Sequence, residues 1–143
     1  MYFEEEEEVD RSMYSFAMVP ELAIRALSRA RQSRTMRTYN VIAKFYNISS
    51  YTTGRGDLGR PFPAYSTIAI RAGISQSTAI RDIDILSKIY AEDGHALLIK
   101  HPRQRKYNSL EKLSNEYELP HFEICVKNNK NIYYEWKNAE LRY

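Results

Sequence analysis

With 143 residues, 43% of them hydrophobic, the chain is long enough to bury one core and too apolar for an unfolded chain. Lys and Arg exceed Asp and Glu by only 21 to 18, and the one cysteine, Cys125, excludes an intramolecular disulfide and any cysteine-based zinc cluster. No apolar run approaches the roughly 18–20 residues that cross a bilayer, and the acidic start is unlike a signal or transit peptide, so a soluble intracellular protein with no membrane partner is expected.

The net charge of +3 is an average over unlike segments. Residues 1–10 hold six acids and no base; residues 11–107 hold sixteen bases against six acids; residues 108–143 hold five bases against six acids. A body of +10 behind an acidic tail points to a polyanion as partner.

Residues 1–13, with Glu4 to Glu8 in one block, read as a disordered acidic tail, because like charges repel and bury nothing. Ser15 to Val19 has the composition of a short strand. Pro20 suits the first turn of a helix, and Glu21 suits its positive end, so a helix over 20–30 follows, with Ala23, Ala26, Leu27 and Ala30 inward. A second helix spans 33–48. Ser33 is its expected cap, Met36, Tyr39, Ala43 and Tyr46 form its apolar stripe beside Ile42 and Phe45, and Arg34, Arg37 and Lys44 stay in water. Residues 49–64 hold three glycines and two prolines and read as a loop.

Tyr65 to Ala72 forms a short helix with Ile68, Ala69 and Ala72 inward, and Gly73 ends it. Ser75 caps the next helix, whose stripe is Ala79, Ile83, Leu86 and Tyr90, broadened by Ile80, Ile85 and Ile89. Asp93-Gly94 makes a turn. Ala96 to Lys100 is a strand, and HPRQRK at 101–106 is a basic loop. The return strand is either Lys106 to Leu110 or Asn115 to Leu119. The second is preferred, running on through Phe122, Ile124 and Val126 with Cys125 buried among them. Asn131 to Tyr143 is expected to form a terminal helix.

The informative window is PFPAYSTIAIRAGISQSTAIRDIDIL, residues 61–86. Two helices that cross closely need a small residue at the crossing, met by Ala69. The turn needs a residue free of a Cβ penalty, met by Gly73, and then an apolar plug, met by Ile74. Ala79 and Ile83 supply the inward face of the second helix. That spacing predicts a helix-turn-helix, whose second helix is free to enter a major groove. A strand and a basic tip after it predict a wing.

The pattern P-x-x-x-x-I-A-x-x-x-G-I-S-x-x-T-A-x-x-x-I-x-x-L from Pro63 to Leu86 resembles the winged helix-turn-helix family of phage and plasmid replication initiators. It is also similar to the DNA-binding half of GntR-type regulators. FAMVPELAI at 16–24 resembles the strand and V/I-P step that lead into that domain, and SNEYEL at 114–119 resembles the N-x-Y-x-L strand that closes its wing. The resemblance covers about residues 15–120 and implies a mainly α fold with a small β-hairpin wing, spanning 14–120, with 121–143 as a C-terminal extension. It implies a sequence-specific double-stranded DNA-binding protein, cytoplasmic or nucleoid-associated. Gln76, Ser77, Thr78 and Arg81 would read the major groove, Tyr65 and Ser66 would hold phosphate, and Arg103, Arg105 and Lys106, with His101, would anchor the wing. Asp82 and Asp84 depart from the pattern, being acidic where such helices are neutral or basic.

Three functions are carried forward. The first is a replication initiator or accessory factor of a mobile element. The second is a transcriptional autorepressor, dimeric through 121–143 with Tyr133, Tyr134 and Trp136. The third is a module that binds a replication or regulatory protein, which acids at Asp82 and Asp84 would suit. GRGDLG at 54–59 matches a dinucleotide fingerprint by letters, but lacks the strand before and the helix after that the fingerprint requires. Arg55 and Arg60 in that loop are secondary candidates for phosphate. His95, His101 and His121 lack metal-ligand spacing, most of the twelve tyrosines sit on helical stripes, and no catalytic triad or carboxylate pair can be assembled. No enzyme activity, metal or cofactor is expected.

Overall fold

The computed structural model describes residues 19–47, 54, 56–104 and 112–128. The described chain is mainly helical with one antiparallel hairpin: α1 (Glu21–Arg29), a 3₁₀ turn (Ser33–Thr35), α2 (Met36–Lys44), α3 (Tyr65–Ala72), α4 (Gln76–Lys88), β1 (Ile99–Gln104), β2 (Lys112–Glu118) and α5 (Pro120–Asn128). The acidic tail, all of the Ser15 to Val19 segment except Val19, the 131–143 segment and the wing residues Arg105 and Lys106 lie outside the described residues.

Each helix turns its apolar stripe to one core. Ala23, Ala26 and Leu27 of α1 meet Tyr39, Ile42 and Ala43 of α2, Ile68 and Ala69 of α3, and Ala79, Ile83 and Leu86 of α4. Leu97, Leu98, Tyr117 and Leu119 close the core from the hairpin side. Phe122 and Val126 of α5 are fully buried in it as well, so residues 121–128 belong to the same core.

Several boundaries differ from the sequence reading. Ser33 does not cap α2: it opens the 3₁₀ turn, and Thr35 Oγ1 instead donates to the Gln32 carbonyl at 2.7 Å. α4 stops at Lys88 because Ile89 turns extended, so Tyr90 leaves the stripe, pairs with Ala96 in a bridge and is 63% exposed. β1 begins at Ile99 and takes in His101 to Gln104, which had read as loop. A register shift falls between His101 and Arg103, at Pro102, which has no N–H to give the ladder. The expected strand through Phe122, Ile124 and Val126 is α5. Phe122 and Val126 are one helical turn apart and buried, Cys125 is half-buried beside them, and Ile124 is 45% exposed.

A lone two-stranded hairpin is marginal in water. Here it is pinned from two sides. The Tyr117 N–H donates to the Pro61 carbonyl at 2.8 Å, and the Leu119 N–H donates to Tyr46 Oη at 2.8 Å. The first bond draws the segment before α3 against β2 and sets the helix start beside the hairpin.

Candidate nucleic-acid interface

α3 and α4 are joined by a turn that Gly73 makes possible. Its φ of 71° is the left-handed region, where a side chain is disfavoured, and the Ile74 N–H returns to the Ala69 carbonyl at 3.0 Å. Ile74 packs against the core as a plug. Ser75 then opens α4, its Oγ accepting from the Thr78 N–H at 3.2 Å.

The starts of α3 and α4 face β2 across a cleft of about 460 Å³, lined by Tyr65, Ser66, Gln76, Ser114, Asn115 and Tyr117 with Pro63 and Ala64. Three residues singled out in the sequence, Tyr65, Ser66 and Gln76, thus share one concavity. Asn115 Nδ2 donates to Tyr65 Oη at 3.0 Å, which fixes the ring and leaves the phenol proton to be donated. Burial pushes the Tyr117 phenol well above its ordinary value, with Asn115 and Tyr65 as its hydrogen-bonding neighbours. The cleft lining is uncharged and rich in donors.

On α4, Gln76, Ser77 and Arg81 are exposed, and Thr78 is half-buried with its hydroxyl accepting from Ser75 Oγ at 2.8 Å. Arg103 does not stand in a loop. It lies on β1 with its guanidinium 4.3 Å from the ring centre of Phe62, an aromatic that is 57% exposed. His101 Nε2 is 3.0 Å from Glu118 Oε1 across the hairpin, so the imidazole is tied to an acid.

Two other expectations are overturned. Asp82 is wholly buried, accepting from Thr38 Oγ1 at 2.7 Å and from Arg34 Nη1 at 3.3 Å, so it offers nothing to a protein partner; Arg34 and Arg37 stay exposed as expected, and reach it from the surface. Asp84 is the exposed acid of α4, paired with Lys88 at 3.0 Å. Arg60 is no free phosphate ligand: it bridges Glu118 at 3.3 Å and Glu123 at 2.9 Å. Its hydrogen bond to Glu123 raises its pKa, and burial followed by the same carboxylate pushes the Tyr46 phenol far above its ordinary value. Tyr46 is therefore a neutral core phenol.

Among the described residues no group of three His, Cys, Asp or Glu side chains is placed to hold a metal, and no helix is long and apolar enough to cross a membrane. Sequence reasoning missed Ser114 as a cleft residue, Phe62 as the stacking partner of Arg103, and the arginines on Asp82. One signal for the last was present: Asp82 falls on the Ala79–Ile83–Leu86 stripe, where an acid needs a buried donor. Compared with family models, curated proteins and solved structures, the chain matches none.

Proposed function

We propose that the chain binds double-stranded DNA sequence-specifically through a winged helix-turn-helix, with α4 as the recognition helix and the β1–β2 hairpin as the wing. The observation that carries the reading is the cleft that joins the starts of α3 and α4 to β2. It gathers hydroxyl, phenol and amide donors from three elements in one place, next to the exposed side chains of α4, and such donors suit phosphate oxygens. Gln76 offers an amide that pairs with adenine, and Arg81 a fork that pairs with guanine. Arg103, backed by Phe62, supplies flanking positive charge, and the sequence adds Arg105 and Lys106 between the two strands. The setting in keeping with the sequence resemblance is replication initiation in a mobile element, with autorepression of its promoter as the alternative role.

Selection of bound duplexes from a random library tests this directly. The intact chain is expected to enrich one motif. Arg81→Ala should lose discrimination at one position by about 1–3 kcal/mol. Equal recovery of all duplexes by the intact chain would sink the sequence-specific claim.

A second reading, a protein-interaction module, has one observation in its favour. Ile70 of α3 is 79% exposed and Ile80 of α4 is 42% exposed, apolar surface at the helices assigned to DNA. Absence of any gel shift at low salt would favour that reading.

A further inference from the structure

Asp82 has none of its surface exposed, and a carboxylate taken out of water needs donors around it. It is met by three groups. Thr38 Oγ1 donates to Oδ2 at 2.7 Å, Arg34 Nη1 donates to Oδ1 at 3.3 Å, and Arg37 Nε makes an ion pair with Oδ2 at 3.7 Å. The arginine side chains are themselves 47% and 42% exposed.

Tying α2 to α4 needs only Thr38 and one base. The second guanidinium is surplus to that task. One carboxylate offsets one guanidinium, so the cluster is left net positive, and that charge sits on the half-exposed arginines. On α4, Thr78 lies one turn before Asp82, so the carboxylate that both arginines reach is on the same face of that helix as Thr78. A guanidinium has five N–H donors in a fixed fork, and Arg34 turns one of them to Asp82.

We propose that Asp82 is a positioning residue, holding Arg34 and Arg37 side by side from inside the fold as a clasp for one DNA backbone phosphate next to α4. The clasp rests on the DNA-binding reading and adds to it a phosphate site on the α2 side. Arginines already held by a buried anchor lose less side-chain freedom when they meet a ligand, and two forks on one phosphate give directed, charge-assisted hydrogen bonds.

The test titrates a short random-sequence duplex into the full chain over a series of salt concentrations. Arg34→Gln/Arg37→Gln, read beside the triple variant that also carries Asp82→Asn and so leaves no unpaired buried charge, should flatten the slope of log K against log salt by about 0.9, the value of one phosphate. Asp82→Asn should weaken binding severalfold although it removes a negative charge. That loss should vanish in the Arg34→Gln/Arg37→Gln background, because Asp82 acts through those arginines. An unchanged slope in the double arginine variant overturns the clasp while leaving DNA binding in place. An Asp82→Asn loss that persists undiminished without the arginines also overturns it, as a structural effect. If the intact chain binds no duplex even at low salt, the DNA-binding reading falls and the clasp falls with it.

Discussion

Asp82 and Glu123 are both buried carboxylates, 0% and 6% exposed, and each is held by a hydroxyl and an arginine, yet they are built as opposites. At Asp82 two bases share one acid: Arg34 and Arg37 converge on it, with Thr38 beneath. At Glu123 two acids share one base: Arg60 bridges Glu118 and Glu123, and Tyr46 donates to Glu123 at 2.6 Å. The first arrangement leaves surplus positive charge on half-exposed side chains. The second divides its one base between two acids and joins the 56–64 segment, α2 and α5. A buried acid thus serves either to present charge or to neutralise it, according to which partner is in excess.

Stability separates the two most sharply. Glu123→Ala takes the acceptor from a buried tyrosine hydroxyl and leaves Arg60, 36% exposed, with Glu118 alone. It should cost about 3–5 kcal/mol in denaturant unfolding. Asp82→Ala should cost less, about 1–3 kcal/mol, because Arg34 and Arg37 can be hydrated where they stand and only Thr38 loses a buried partner. Equal losses would mean that the exposure of the arginines makes no difference, and the contrast would fail.

The readable and unreadable parts of the chain divide by the same logic of near and far. α3, its turn and α4 were legible because each step is local: the stripe of Ile68 and Ala69, the glycine at 73, the serine cap at 75. So were Tyr65, Ser66 and Gln76, which those steps place at helix starts. Arg34 and Arg37 were not, because their partner on α4 is distant in sequence and an arginine off an apolar stripe reads as solvated. The 122–126 run fits a period of two as well as the helical spacing of Phe122, Cys125 and Val126, and only Pro120 at the helix start spoke for α5. Only Ile99 and Lys100 of β1 were legible as strand, because the polar arm after them carries no alternation. The end of α1 is the plainest case. It closes with the same bonds as α3, Gln32 N–H to the Leu27 carbonyl at 2.9 Å and Arg31 N–H to Ser28 at 3.1 Å, but with arginine instead of glycine at the left-handed position, φ 56°. Arg31→Gly should therefore stabilise the chain by about 1 kcal/mol, read from the denaturation midpoint at unchanged slope. A loss of stability would show that the arginine side chain contributes more than its backbone conformation costs.

Asp93 extends the comparison to a carboxylate left partly in water, and the smallest effect is expected there. Its Oδ1 accepts from His121 Nε2 at 2.9 Å and from the His95 N–H at 3.1 Å, while its own side chain is 32% exposed and that of His121 only 2%. Burial works to raise its pKa, but the His121 hydrogen bond, the His95 N–H and the nearby imidazoles together hold it below the ordinary 3.8. A carboxyl that binds its proton less readily folded than unfolded favours folding above the unfolded value. That contribution is lost as the pH falls through the lower, folded value. The intact chain should thus exceed Asp93→Asn in unfolding free energy at about pH 5, and the margin should close as the pH falls below about 4. A margin that stays constant through the acid range would show that His121 does not hold the charge on Asp93, leaving the bond a matter of shape alone.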